Sequence, residues 1–128
     1  MAMGLKDKAA KRTKESPFVP ALLGLFHAAR TERNFQFHLF AGTCVVVLGF
    51  LFSLSKTEWM IIILVIFGML SLELVNTAIE RTVDLVTLER HPLAKQAKDV
   101  AAAAVFVYAF MAVIIACIIF IPKILLLF

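Results

Sequence analysis

The sequence predicts an all-α membrane protein with three transmembrane helices preceded by a short amphipathic surface helix. Three observations carry this. First, 62% of the 128 residues are hydrophobic and the mean hydropathy is +0.93, where a soluble domain is apolar over roughly half its length. Second, charge-poor runs recur at the length of about 20 residues that a helix needs to cross a bilayer core. Third, Lys and Arg are sorted between the two ends of those runs. One domain, residues 1–128, is expected. The net charge of +4 suits topology signals and anionic lipid better than nucleic acid, which is not expected as a partner.

Taken in order, residues 1–16 carry Lys6, Lys8, Lys11, Arg12 and Lys14 with few apolar neighbours and read as a cytoplasmic tail. No secretory signal peptide is expected, because the first apolar run comes too late and is too long. Residues 20–34 set Leu22, Leu23, Leu25, Phe26 and Ala29 against His27, Arg30, Glu32 and Arg33, an amphipathic pattern suited to the membrane surface. Pro20 can open that helix because its missing N–H costs nothing there.

The first span is expected over 35–54, with Gln36 and His38 as polar interruptions at its start. Ser55-Lys56-Thr57-Glu58 reads as a tight loop, and Trp59, an interfacial aromatic, opens the second span over 59–79. The third span covers 100–121, closed by Pro122 and Lys123. Gly68 and the Ala101–Ala104 run offer small surfaces for close helix approach. Cys44 and Cys117 each sit in a separate apolar run and read as small packing residues rather than a disulfide or metal pair. Seven Lys/Arg lie up to Arg33 and four between residues 80 and 99, against one in the 55–58 loop and one in the C-terminal tail. This places the N-terminus and the second loop in the cytoplasm.

The chemistry is concentrated in Ser71–Val105. At 100° per residue, Glu73, Asn76, Glu80 and Asp84 fall within an arc of roughly 80° on one helix face. Glu73 and Asn76 lie in the inner third of the second span, Glu80 at its cytoplasmic surface, and Asp84 beyond it. A charge inside a span costs roughly 2.5–3.5 kcal/mol on insertion scales and marks a functional site by default. The bland alternative is a Glu73 that glues helices together. A row running from lipid to water instead suits two substrates meeting at the interface, a membrane alcohol near Glu73 and a soluble phosphate donor near Glu80, Lys98 and Asp99. Phosphoryl transfer needs metal-neutralised phosphates, a cation and a group that deprotonates the nucleophile. Glu80 and Glu32 could hold Mg²⁺, Lys98 could contact phosphate, and Glu73 could serve as base. Neither GxxxxGK[ST] nor GxGxxG occurs.

These residues form the patterns ExxNTAIExxxD (Glu73 to Asp84) and AKxAKDxAAAAV (Ala94 to Val105), which closely resemble the small integral-membrane diacylglycerol kinases of bacteria. Glu32-Arg33-Asn34-Phe35 with His38 is similar to the Gram-positive undecaprenol kinase branch. The resemblance runs from Phe18 to the end of the third span. It implies a homotrimer in the bacterial cell membrane that transfers the γ-phosphate of MgATP to a lipid hydroxyl at the cytoplasmic interface. By resemblance, Glu73 is the catalytic base and Glu32 and Glu80 hold the divalent metal. Glu32, Asn76, Glu80, Asp84, Lys98 and Asp99, with Glu89, Arg90 and His91, are implied at the ATP site. Gly24, Asn34, Phe35 and Glu73 are implied at the lipid site. The chain departs from the family at Pro20, where an aromatic residue is common, and neither Thr13 nor Lys14 is assigned the role of a basic residue near the start of the surface helix.

Undecaprenol is the expected acceptor, with diacylglycerol as the alternative lipid and a non-enzymatic accessory protein as the alternative of another class. His38 reads as a structural or interfacial histidine, His27 as solvated, and Lys95 as equally suited to phosphate, solvent or anionic lipid. The phenylalanines read as packing and lipid-facing residues.

Overall fold

The computed structural model describes residues 16–128, all of whose regular structure is helical. The tail expected over 1–16 lies, apart from Ser16, outside them, as do Thr13 and Lys14. Four helices follow: α1 (Phe18–Thr31), α2 (Arg33–Leu51), α3 (Lys56–Val86) and α4 (Pro92–Leu125). Three of them, α2 to α4, are long and apolar enough to cross a membrane. The central helix is α3, which packs along α4 and against α2, while α1 packs mainly against α2.

Pro17 is the N-cap of α1, so Pro20 falls third in the helix, still within the first turn where an N–H has no partner to lose. The helix breaks at one residue. Glu32 is extended, with φ −97° and ψ 108°, and α2 begins immediately after it. The elbow is held from the far side by Gln36, whose side-chain amide donates to the carbonyls of Ala29 and Arg30, both at 3.1 Å. Those are carbonyls that the end of α1 leaves without helical partners.

At the opposite end, α2 closes with Ser53 in the left-handed region at φ 50°. Ser53 N–H donates to Phe50 O and Leu54 N–H to Gly49 O, the paired bonds of a Schellman motif in which serine stands where glycine is usual. Ser55 then caps α3 in a reciprocal capping box. Its backbone N–H donates to the Glu58 carboxylate at 2.7 Å, and Glu58 N–H donates to Ser55 Oγ. Lys56, Thr57 and Glu58 are therefore the first turn of a helix rather than the loop that their polarity suggests, and the true connection is Phe52–Ser55.

Trp59 packs over Gly49 and against the Phe50 ring, with centroids 4.8 Å apart. Beside it, Leu54, Ile62, Ile119 and Phe120 form the largest buried cluster. Lys123 of α4 pairs with Glu58 at 3.1 Å across the same end.

At about 1.5 Å per residue, the 19 residues of α2 measure about 28 Å, close to the hydrocarbon thickness of about 30 Å. The 31 residues of α3 and 34 of α4 reach about 46 and 51 Å, so both project well beyond it. The connection between them is short. Thr87 Oγ1 accepts from Glu89 N–H, and His91 caps α4 by accepting from Leu93 N–H, with Pro92 as the first helical residue. Lys95, Lys98 and Asp99 thus stand on the first turns of α4 rather than at the end of a long loop.

Midway along, Tyr108 of α4 lies across Gly68 of α3 and donates to Leu64 O at 3.1 Å. A Cβ on Gly68 would sit 1.9 Å from the Tyr108 hydroxyl. Gly68→Ala is therefore expected to displace that ring and destabilise the protein by about 1–3 kcal/mol, read as a lowered melting temperature in detergent.

Candidate active site

The polar row of α3 begins in the protein interior. Glu73 is 3% exposed and Asn76 6%, the only buried polar side chains among the described residues. The periodicity of α3 sets both on the face that meets the neighbouring helices. His38, near the start of α2, stands beside the inner end of α3 because the two helices run antiparallel. Its Nε2 lies 3.2 Å from Glu73 Oε1.

Asn76 Nδ2 donates to Glu80 Oε1 at 3.4 Å, one turn toward the water. Asn76 Oδ1 is buried with no hydrogen-bond partner among the described residues. Glu32, at the elbow, accepts from Arg81 at 2.5 Å and from the Thr31 hydroxyl at 3.4 Å. The bond to Arg81 brings Glu32 to the end of α3 that carries Glu80, so it joins Asn76 and Glu80, which stand one and two turns beyond Glu73.

Beyond it, Asp84 pairs with Lys98 of α4 at 2.5 Å, tying the two helices together where they leave the membrane. With Glu89, Arg90, His91 and Lys95, this pair lines an open cavity of about 630 Å³. Asp99 does not face that cavity; it is paired with Lys95 one turn before it.

On the lipid side a second, larger concavity of about 880 Å³ lies between α1, α2 and α3, lined by Leu22, Phe26, Phe35, Phe67 and Leu74 among other apolar residues. Ser71 and Leu74, which line it, flank Glu73 in α3. Of the implied lipid contacts, Phe35 lies in this wall and is 2% exposed. Gly24 and Asn34 are not part of the lining, and Asn34 sits in the first turn of α2.

No group of three or more His, Cys, Asp or Glu side chains is placed to hold a metal among the described residues. A Mg²⁺ site of the kinase kind needs fewer protein ligands than that, one or two carboxylates with substrate phosphate and water completing the shell. The donor set here is all oxygen. Glu80 is bonded to Asn76, whose buried carbonyl oxygen has no partner among the described residues, so the residue types present fit a hard divalent cation.

Two partnerships escaped the sequence reading, His38 with Glu73 and Arg81 with Glu32. A signal for the first existed. In an antiparallel pair of spans, the beginning of one lies at the depth of the end of the other, and an intramembrane carboxylate needs a partner. For the second there was none, because it depends on the bend at Glu32.

Buried acid and amide groups at one end of a three-span helical unit, with an apolar groove on one side and a charged cavity on the other, define a class of small membrane enzyme working at an interface. Residues 20–120 match the family model for prokaryotic diacylglycerol kinase, and the chain belongs to that family. Its relatives are named as kinases. The undecaprenol kinase of Bacillus subtilis is 60% identical over 106 residues, covering 83% of this chain and 86% of the relative. The diacylglycerol kinase of Pseudomonas aeruginosa is 42% identical over 87 residues, covering 68% and 71%. The diacylglycerol kinase of Synechocystis is 40% identical over 106 residues, covering 82% of this chain and 61% of the relative.

The Asp84–Lys98 pair is exposed enough to contribute no more than about 1 kcal/mol to folding. Lys98→Met should therefore leave the thermal transition in detergent almost unmoved, while weakening the binding of a nucleoside triphosphate measured with a fluorescent ATP analogue.

Proposed function

We propose that this chain is an ATP-dependent lipid kinase that transfers the γ-phosphate of MgATP to undecaprenol, giving undecaprenyl phosphate. The observation that carries the reading is Glu73, a buried carboxyl flanked by residues of an apolar groove on one side and facing a charged cluster on the other. A long-chain alcohol lying in the groove beside Phe35 and Leu74 brings its hydroxyl to Glu73. ATP lies along the water side, with Asn76, Glu80, Asp84, Glu89, Arg90, His91, Lys98 and Asp99 as its candidate contacts.

Glu73 accepts the hydroxyl proton as the alcohol oxygen bonds to the γ-phosphorus and the bond to ADP breaks. Lys98 offsets phosphate charge as a point cation once released from Asp84. Glu80 and Glu32 would hold Mg²⁺, which when bound neutralises phosphate charge. Burial of Glu73 keeps water from competing as the acceptor.

The 60% identity to an undecaprenol kinase, against 42% or less to the diacylglycerol kinases reported above, favours the prenol over diacylglycerol. The chain is read as one kinase domain in the bacterial cell membrane, its N-terminal side and the 87–91 turn facing the cytoplasm, as the Lys/Arg asymmetry supports. In this reading α1 lies at the membrane surface, its exposed Leu22, Leu23 and Phe26 in contact with lipid. The assembly is a homotrimer. In its support, no more than 22% of the apolar window of any span is buried within a single chain.

The test is phosphorylation of a panel of lipid alcohols by purified, reconstituted protein with MgATP. Undecaprenol is expected to be the preferred acceptor. Preference for diacylglycerol would overturn the choice of lipid, and labelling of no lipid would overturn the kinase reading. Glu73→Gln is expected to lower kcat about 10²- to 10⁴-fold with the thermal transition retained.

A further inference from the structure

We infer that His38 is a positioning residue for the catalytic carboxyl, a role that rests on the lipid-kinase reading. Glu73 is 3% exposed, and His38 is its only hydrogen-bond or ion-pair partner among the described residues. The groups that bear on it are His38 from α2, Glu32 from the elbow and Glu80 from its own helix. Only His38 can donate a hydrogen bond to a carboxylate.

The ion pair sets His38 Nε2 3.2 Å from Glu73 Oε1, which leaves Oε2 as the oxygen available to the substrate hydroxyl. A glutamate has three rotatable side-chain bonds, and no other ion-pair or hydrogen-bond partner among the described residues helps to select its rotamer. The imidazole is itself oriented, standing edge-on to Phe37 with centroids 5.3 Å apart. His38 thus divides the two carboxyl oxygens into one that is held and one that reacts. Because α2 carries it, the bond also ties the wall of the lipid groove to the base.

A purely structural contact between α2 and α3 would make different predictions, so the experiment compares turnover, apparent affinity and stability. With undecaprenol and MgATP, His38→Leu is expected to lower kcat about 100-fold, the scale of a misplaced catalytic group, while KM for both substrates stays within about twofold. His38→Gln, which can still present an N–H to Oε1, is expected to recover kcat to within about tenfold of wild type. In a Glu73→Gln background, His38→Leu is expected to cause no further loss, because the two side chains act as a unit.

The proposal is overturned if His38→Leu retains kcat within about threefold of wild type, if KM rises in step with the loss, or if the loss persists undiminished without Glu73. Should the leucine variant fail to fold, His38→Gln decides alone, a loss beyond about tenfold refuting the role. An inactive wild-type protein would sink the kinase reading first and this role with it, whereas an active wild type with an indifferent His38 would remove the role only.

Discussion

A carboxylic acid cannot sit in hydrocarbon without help, and the placement of Glu73 is the constraint from which the rest of this molecule follows. Its cost inside a span, of the order of a few kcal/mol, has to be offset by neighbours that accept or donate hydrogen bonds. The chain supplies them from two directions. His38 reaches across from α2, and down the same face of α3 the amide of Asn76 hands polarity on to Glu80 and then to water. The acid is thereby sheltered from solvent but connected to it by a graded path. Such a group can sit beside a greasy alcohol on one side and answer to soluble phosphate on the other.

Holding that arrangement requires the three long helices to keep their vertical register. One end is fixed by backbone chemistry, a Schellman closure running directly into a capping box, with Trp59 seated on Gly49 and Lys123 paired with Glu58. The middle is fixed by the Tyr108 ring lying on Gly68, a contact that leaves no room for a side chain. The other end is fixed by the elbow at Glu32, where Gln36 and Arg81 close over the junction. Each clamp pairs one helix with the next, so a small protein without a large core still sets its site to a defined depth.

Much of this was legible in the sequence because it is periodic. The three spans follow from apolar runs of bilayer length, and the alignment of Glu73, Asn76, Glu80 and Asp84 follows from 3.6 residues per turn. What could not be read depended on backbone bends or on register between helices. Polar Lys56–Glu58 looked like loop, although Ser55 and Glu58 already spelled a capping box. The helical ends carrying Lys95, Lys98 and Asp99 were hidden because hydropathy reports where a helix meets lipid, not where it stops. Asp99 pairs with Lys95 and does not line the cavity beside Asp84 and Lys98, a choice between two nearby cations that spacing cannot decide. His38 carried the clearest unread signal, since its depth in the first span matches that of Glu73 in the second.

The three spans differ in length, and the shortest matters most. Whereas α3 and α4 overshoot the hydrocarbon, α2 is cut to about its thickness and is pinned at both ends, by the left-handed serine at one and the bend at Glu32 at the other. It therefore works as a ruler for the bilayer. Fatty acyl chains that swell or thin the membrane would strain α2 before its longer neighbours, and with it the height of His38 and the wall of the apolar groove. Membrane thickness, set by the cell's own lipid composition, would in this way be transmitted to the buried carboxyl of Glu73 through a single helix.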